Sequence, residues 1–372
     1  MAFTDGFVAH GFEPVREEFE RNFADRGELG ASFAVVRDGE LVVDLWGGAA
    51  DGATGRRWEE DTLQVVFSGT KGLVAVCLLL LLDRGLLELD APVSRYWPEF
   101  GKDDIRVRDV AAHTAALPGI DEPLGLEDAL AGARPLGLLE AQQPSDDPRA
   151  LLCYHALTFG WLCGELVRRI DGRSVGRFFA EEVAGPLGLE AWIGLPAEHE
   201  HRVSTLELAP DWPQSPHLRV DTFAEDSLLR SIWGNPPLFS RAGFPCNRPE
   251  FHQAELAAVG GIGTARSIAS LYASLDRIVS PQALELGQTA LSRGWDAAHA
   301  GPVHFGVGFQ LQTESMRFGA EPAAFGHDGA GGSVHGAWPA KRVGFSYAMN
   351  LMRDDPEDRR SPALLDALYS SL

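Results

Sequence analysis

The stretch FSGTKGLVAVCLLLLLDRG, residues 67–85, decides how the rest of the sequence is interpreted. Its long apolar run ends in a polar Asp-Arg-Gly, which predicts a buried helix with Ser68 at its head. The apolar run is about half as long as a membrane crossing requires. Because residues three apart at the start of a helix share one face, the Ser68 hydroxyl and the Lys71 amine are expected within hydrogen-bond reach of each other.

Lys71 belongs to a scarce residue type in this chain. Only three of the 32 basic residues are lysines, namely Lys71, Lys102 and Lys341. Arginine stays charged in proteins, whereas a buried lysine can lose its proton and act as a base. To accept a proton from Ser68 near neutral pH, the pKa of Lys71 must fall far below ~10.4, which costs roughly 4 kcal/mol. The apolar run and the positive end of the helix dipole both act in that direction.

The Ser-x-x-Lys spacing is weak evidence by itself, because 21 serines in 372 residues make it common by chance. Ser68 could instead be a helix cap beside a solvated Lys71. A second motif favours chemistry: Tyr154 and Ala156 lie in LLCYHALTFGWL, residues 151–162, with apolar residues on both sides. A buried tyrosine beside a lysine can hold a shared proton and pass it to a leaving group, although most buried tyrosines only pack in a core.

A third motif, GHDGAGGS at residues 326–333, joins His327 to a cluster of glycines ahead of a strand-like segment. Glycines let a strand edge approach a substrate closely, and a backbone NH there can face an oxyanion. The alternative is an ordinary glycine-rich turn.

Away from these motifs, the spacing of apolar residues predicts both helices and strands. EPVREEFERNFAD, residues 13–25, is typical of an amphipathic helix, and SFAVVRDGELVVDLWGG, residues 32–48, predicts a hairpin turning at Asp-Gly. Strands are expected again at 305–311, 325–337 and 342–352, a helix capped by Thr264 runs through Leu275, and a last helix closes the chain. The sequence therefore predicts an α+β fold in which residues 1–72 and 256–372 form a mixed α/β domain, and residues 73–255 form a mainly helical inserted domain.

The overall composition excludes several function classes. The net charge is −21, which would repel phosphate backbones and anionic membranes, so neither nucleic acid nor a membrane is an expected partner. Four cysteines without CxxC spacing indicate buried thiols in a reducing compartment. The acidic amino terminus has no apolar core typical of a secretory signal. We therefore expect a soluble cytoplasmic protein without a cofactor.

Taken in this order, the motifs resemble those of the serine β-lactamase and penicillin-binding protein superfamily. The resemblance covers nearly the whole chain, includes VRDVAAHTAALPG (107–119), GGIGTARSIASLYASL (260–275) and HFGVGF (304–309), and is greatest to the family VIII carboxylesterases. It implies the β-lactamase/transpeptidase-like fold, with an antiparallel sheet, a helical domain and the active site between them. It also implies a carboxylesterase that cleaves short-chain acyl esters through an acyl-enzyme.

The resemblance assigns a role to each motif residue. Ser68 is implied as the nucleophile and Lys71 as its base, with Tyr154 matching the tyrosine of a Tyr-x-Asn motif. His327, Asp328 and Gly329 fall where a Lys-Thr-Gly strand is expected. The backbone NH groups of Ser68 and Ala330 would form the oxyanion hole, and the Tyr154–Lys71 pair would activate water, which His327 would steer. His113 would belong to a structural loop.

Two departures from the family pattern bear on the substrate. Ala156 replaces the asparagine whose amide binds the acylamide side chain of a β-lactam, and His327 replaces the lysine that attracts its carboxylate. Charge-assisted hydrogen bonds are the stronger ones, so their loss disfavours antibiotics more than esters. The substrate is therefore expected to be a small ester or amide.

Other signals are discounted, and several alternatives stay open. The tract Glu198 to His201 lacks HExxH spacing, so no metal site is expected. A G-x-G-x-x-G loop starting at Gly261 fails at Arg266. The same scaffold could serve a β-lactamase, a D-amino-acid peptidase or an acyltransferase. A non-catalytic acyl-binding sensor is the alternative outside enzymes.

Overall fold

The computed structural model describes residues 3–214, 218–224, 227–241 and 243–372. The predicted hairpin is confirmed. It consists of strand β2 (Gly30–Arg37) and strand β3 (Glu40–Asp51). The turn between them has positive φ at both central residues, 52° at Asp38 and 84° at Gly39, which is the conformation that Asp-Gly favours.

This hairpin lies in a ten-stranded antiparallel sheet with the order β1-β3-β2-β14-β13-β12-β11-β10-β9, and β4 pairs with β3. All of its strands come from the two ends of the sequence. The other members are β1 (Thr4–Val8), β4 (Arg56–Arg57), β9 (Ser292–Asp296), β10 (Gly301–Phe305), β11 (Gln310–Leu311), β12 (Phe325–Asp328), β13 (Val334–Trp338) and β14 (Val343–Met349).

Helices cover both faces of the sheet, as the alternation of side chains along β2 requires. Phe33 and Val35 face a core shared with helices α1 (Glu13–Asp25) and α13 (Arg360–Ser370). The intervening Ala34 and Val36 pack against helix α11 (Ala265–Ala273) on the other face. The predicted helices at both ends of the chain are therefore confirmed.

Helix α2 (Gly69–Asp83) is the central element of the structure, and every residue from Gly69 to Leu81 is buried. A helix that is apolar all round must be enclosed, and α2 packs against other helices and against β12. The remaining helices are α3 (Val107–Ala111), α4 (Leu126–Ala131), α5 (Ala133–Ala141), α6 (Thr158–Asp171), α7 (Val175–Phe179), α8 (Gly185–Leu187), α9 (Leu228–Trp233), α10 (Pro249–Gln253) and α12 (Pro281–Gln288). None of the helices in the described ranges is long and apolar enough to cross a membrane.

Two small sheets join the middle of the chain to its ends. Strand β6 (Ala191–Ile193) pairs with β8 (Gly261–Gly263), which also pairs with β5 (Gln64–Val65). Strand β7 (Glu207–Leu208) pairs with β15 (Leu351–Met352). The middle segment therefore contains strands that are too short to show a sequence pattern. Local sequence could not predict them, because the strands with which they pair lie far away in sequence. The predicted domain boundaries at 72/73 and 255/256 stay predictions, and α2 runs across the first of them.

Four predicted elements differ in detail from the structure. The strand expected at 305–311 is broken by a turn at residues 306–309, where Gly308 has a φ of 73°. The segment 325–337 is two strands joined by a glycine turn, and 342–352 divides at Asn350, whose buried amide bonds the carbonyl of Ala49. Thr264 caps α11 as predicted, but the helix ends at Ala273 rather than at Leu275. All four cysteines are buried free thiols.

Candidate active site

Ser68 lies at the amino end of α2, directly after a residue in a strained conformation. Phe67 has a φ of 45°, which is rare for an aromatic side chain, and its carbonyl accepts the Thr70 hydroxyl at 2.5 Å. The Ser68 side chain makes no capping hydrogen bond to its own helix. Its hydroxyl is therefore available for other contacts, and the simple helix-cap interpretation is wrong.

Lys71 is fully buried beneath Ser68. Its Nζ donates to Ser68 Oγ at 3.2 Å, to the Ala156 carbonyl at 2.8 Å and to the Ala258 carbonyl at 3.0 Å. Burial holds the pKa of Lys71 well below its usual value, and the negative charge of Asp328 opposes this only in part. An amine in this setting can exist neutral and accept a proton from the neighbouring hydroxyl.

Tyr154 completes the cluster from the loop that precedes α6. Its ring lies 4.7 Å from Lys71 Nζ, and its hydroxyl is hydrogen-bonded to Ser68. Burial raises the pKa of Tyr154 well above its usual value, although the bond to Ser68 acts against this. The phenol is thus protonated at neutral pH and can serve as a proton donor beside the nucleophile.

The glycine turn between β12 and β13 lies next to Ser68. At Gly329, a Cβ would overlap both the Val66 carbonyl oxygen and the Ser333 hydroxyl, so only glycine fits. Within the described residues, the backbone NH groups of Ser68 and of Ala330 have no hydrogen-bond acceptor. Two such unsatisfied donors at one cleft suit the stabilisation of an oxyanion.

The structure corrects the role expected for His327. Its side chain is fully buried, its Nδ1 contacts the Asp328 carbonyl at 2.8 Å, and it does not line the cleft. Burial and the nearby Lys71 lower the pKa of His327 to about 3, so the imidazole is neutral. The reason is the pleat of β12, which directs His327 inward and Asp328 toward the cleft. His327 therefore supplies neither a cation nor a direct contact to a substrate there.

His113 packs against the site from the buried side. Its ring lies 4.8 Å from that of Tyr154, and its Nδ1 accepts the backbone NH of His155. Burial holds the pKa of His113 well below its usual value. A neutral, enclosed imidazole in this position supports Tyr154 by packing.

The cleft in front of Ser68 has a volume of about 530 Å³. Its walls include Tyr154, Ala156 and the turn Gly329–Gly332. The sequence interpretation missed the polar residues that complete the lining, which are His299, Ser315, Arg317, Arg353, Asp354, Asp355, Asp358 and Ser361. Each lies far from Ser68 in sequence, in a loop or, for Ser361, in the first turn of α13, so no local pattern could have indicated it.

The tract from Glu198 to His201 does not converge on one point. His199 stacks on Trp192, His201 contacts the Glu198 carbonyl, and Glu200 pairs with His252 at 2.9 Å. Among the residues that the structure describes, no cluster of three or more His, Cys, Asp or Glu could hold a metal ion.

Comparison with known proteins finds a matching family model and similar esterases. A family model described as Beta-lactamase matches residues 15–369. The esterase/beta-lactamase LipL of Mycobacterium tuberculosis is 32% identical over 367 residues, which cover 91% of this chain and 80% of that protein. Esterase EstB of Burkholderia gladioli is 30% identical over 208 residues, 49% of this chain and 51% of EstB.

Solved structures agree with these sequence matches over the full length of the chain. A family VIII carboxylesterase superimposes with a TM-score of 0.90 at 34% identity, and both chains are covered completely. A penicillin-binding protein homolog from Caulobacter crescentus superimposes with a TM-score of 0.89 at 33% identity, again with complete coverage of both chains.

Proposed function

The chain belongs to the beta-lactamase family, and we propose that it is a serine carboxylesterase that cleaves short-chain acyl esters through an acyl-enzyme on Ser68. The β-lactamase/transpeptidase-like fold expected from the sequence is confirmed. The observation that carries the proposal is the 3.2 Å hydrogen bond between Lys71 Nζ and Ser68 Oγ, made by a lysine whose other partners are carbonyl oxygens.

In the proposed first step, Lys71 takes the proton of Ser68 while Oγ bonds to the ester carbonyl carbon. The carbonyl oxygen becomes an oxyanion, which the NH groups of Ser68 and Ala330 stabilise. Tyr154 gives its proton to the leaving alkoxide as the bond between carbon and alcohol oxygen breaks, and takes a proton from Lys71 in return. The oxygen of a water molecule then bonds to the acyl carbon, the bond from that carbon to Ser68 Oγ breaks, and one water proton ends on Oγ as the acid leaves.

The cleft walls favour esters over β-lactams as substrates. Ala156 contributes its carbonyl to Lys71 and offers no side-chain amide, and His327 is buried and neutral. Asp328 faces the cleft beside Gly329 and pairs with Arg317 at 3.0 Å, so the carboxylate of a β-lactam would meet an ion pair in place of a lysine. The Asp328 carboxylate repels an anionic substrate and already occupies Arg317, so the site is unfavourable for such a substrate.

β-Lactamase activity is the second candidate, because LipL is described as an esterase and a beta-lactamase. Residual turnover of β-lactams would use the same Ser68 and Lys71. A D-amino-acid peptidase or an acyltransferase would also share this chemistry and differ in the group that is accepted or captured. A cytoplasmic location is part of the proposal and is supported by the four buried free thiols.

The test is a substrate panel on the wild-type protein and on Ser68→Ala in parallel. Short p-nitrophenyl esters should be turned over faster than nitrocefin or D-Ala-D-Ala peptides, and an added alcohol should capture less acyl group than water does. Mass spectrometry should find the acyl adduct on Ser68. If Ser68→Ala kept more than a few percent of the esterase rate and no adduct formed on Ser68, the proposal would be wrong.

A further inference from the structure

A histidine lines the cleft beside Tyr154, and a buried aspartate lies behind it. Asp296 is fully buried at the end of β9, and its Oδ2 accepts a hydrogen bond from Nδ1 of His299 at 2.6 Å. The same carboxylate accepts the backbone NH groups of Tyr154 at 2.8 Å, Ala298 at 3.1 Å and His299 at 3.1 Å. A carboxylate held by four donors cannot turn away, so it fixes the position of the imidazole.

The bond to Asp296 also sets the tautomer of His299. With the proton on Nδ1, Nε2 is the ring nitrogen that can accept a proton. The His299 side chain is 32% exposed and lines the cleft together with Ser68. Its ring centroid lies 4.5 Å from that of Tyr154, and Trp233 packs edge-on against it at 5.4 Å. A histidine oriented by a buried carboxylate and open to the cleft is built like a general base.

Lys71 is poorly placed to activate water that arrives from the cleft. Its amine is enclosed by Ser68 Oγ and the carbonyls of Ala156 and Ala258, and it does not line the cleft. Among the described residues of the cleft wall, His299 is the only imidazole.

We propose that His299, positioned by Asp296, is the base that activates water for hydrolysis of the acyl-enzyme, and this rests on the Ser68 acyl-enzyme proposed above. The water proton passes to Nε2 as the water oxygen bonds to the acyl carbon. The intermediate collapses, the bond from the acyl carbon to Ser68 Oγ breaks, and Oγ takes the proton of the Tyr154 hydroxyl. His299 then returns its proton to the Tyr154 oxygen, and the carboxylic acid leaves.

The experiment separates acylation from deacylation in His299→Asn with p-nitrophenyl acetate in stopped flow. The first-turnover burst should keep an amplitude near one per active site and a near-wild-type rate constant. The steady-state rate should fall by about 100-fold or more, as loss of a general base predicts. The acyl adduct on Ser68 should accumulate. In His299→Gly, added imidazole should restore the steady-state rate.

His304→Asn is the matched control, because His304 is half-buried on β10, contacts the Gln312 carbonyl and does not line the cleft. It should leave both phases unchanged. An unchanged steady-state rate in His299→Asn would overturn the inference and leave the Ser68 proposal intact. Equal slowing of the burst and the steady state, without imidazole rescue, would also overturn it. Loss of the burst in Ser68→Ala tests the nucleophile separately.

Discussion

Lys71 has carbonyl oxygens and a hydroxyl as its hydrogen-bond partners in the described part of the chain. A carboxylate partner would favour the charged ammonium, whereas carbonyl oxygens accept hydrogen bonds from both the charged and the neutral amine. The buried position therefore shifts the balance toward the neutral base. The same burial that costs folding free energy makes the residue useful for the proposed reaction.

The carboxylate of Asp328 acts on Lys71 from the cleft side, where it raises the pKa of the amine against the larger lowering by burial. In the proposed mechanism, kcat/KM rises with pH as Lys71 loses its proton. Asp328→Asn removes a charge that stabilises the ammonium, so the pKa of Lys71 should fall further. The acid limb of the kcat/KM profile should therefore move to lower pH.

The matched control for that profile is Asp355→Asn, which removes another carboxylate of the cleft wall that does not act on Lys71. Its acid limb should coincide with that of the wild type. His327 cannot produce the limb, because its pKa is about 3. A shift to higher pH in Asp328→Asn would contradict the assignment of Lys71 as the base.

At the scale of secondary-structure elements, two glycine-containing turns of the large sheet should respond differently when the glycine is replaced by alanine. A Cβ at Gly329 would collide with the Val66 carbonyl and displace the turn that carries the Ala330 NH. Gly329→Ala should lower kcat by about 10²–10³-fold, as loss of an oxyanion donor does. Gly39→Ala has open space around its Cβ but keeps a φ of 84°, so it should cost ~1 kcal/mol of folding free energy and leave kcat unchanged.

Steady-state kinetics and thermal unfolding of both variants check this pair. Equal kcat in Gly329→Ala and wild type would mean that the turn does not position the Ala330 NH. A fall in kcat for Gly39→Ala would mean that the hairpin turn affects the distant cleft.

Local signals account for the elements that the sequence predicts well. The hairpin follows from Asp38-Gly39 between apolar runs, and α2 follows from one uninterrupted apolar stretch. Strands β6 and β7 are defined only by pairing with β8 and β15, which lie far away in sequence. No short window contains that information.

The residues of the candidate site also fall into two groups: those that local sequence could predict and those that depend on distant parts of the chain. Ser68 and Lys71 could be paired from their spacing on one helix, because helix geometry fixes which side chains meet. The direction of His327 depends on the pleat of β12, and a shift of one residue exchanges the buried and exposed faces. The contact of His299 with Asp296 is local, but its place beside Tyr154 depends on how β9 meets the helical segment.

On the scale of the whole molecule, a buried ion pair joins the two ends of the chain to the cleft. Arg360 Nη1 donates to Glu28 at 2.8 Å, both side chains are fully buried, and Tyr347 donates to the same carboxylate. Arg360 Nη2 also donates to the carbonyl of Gly331, in the turn that lines the cleft, at 3.2 Å. Folding of the termini and the shape of the cleft are therefore linked.

Arg360→Met leaves Glu28 buried without its cation and should destabilise the protein by about 3–5 kcal/mol, measured by urea unfolding. Adding Glu28→Gln should recover part of that loss, because the uncompensated charge is gone. Arg359→Met is the control, since Arg359 pairs with Asp366 at the exposed surface. A destabilisation of Arg360→Met no larger than that of Arg359→Met would contradict the coupling.

The net charge of −21 and the carboxylates of the cleft wall should together select against anionic esters. The cleft is lined by two arginines, Arg317 and Arg353, and by a larger number of aspartates, namely Asp328, Asp354, Asp355 and Asp358.

We expect p-nitrophenyl hydrogen succinate to show a kcat/KM about tenfold below that of p-nitrophenyl butyrate at low salt, since ~1.4 kcal/mol of repulsion gives that factor. The gap should narrow as sodium chloride is raised, because salt screens partly exposed charges. Uncharged esters of different chain length, assayed over the same salt series, control for direct salt effects on the enzyme. A gap that does not change with salt would mean that cleft shape, and not charge, excludes the succinate ester.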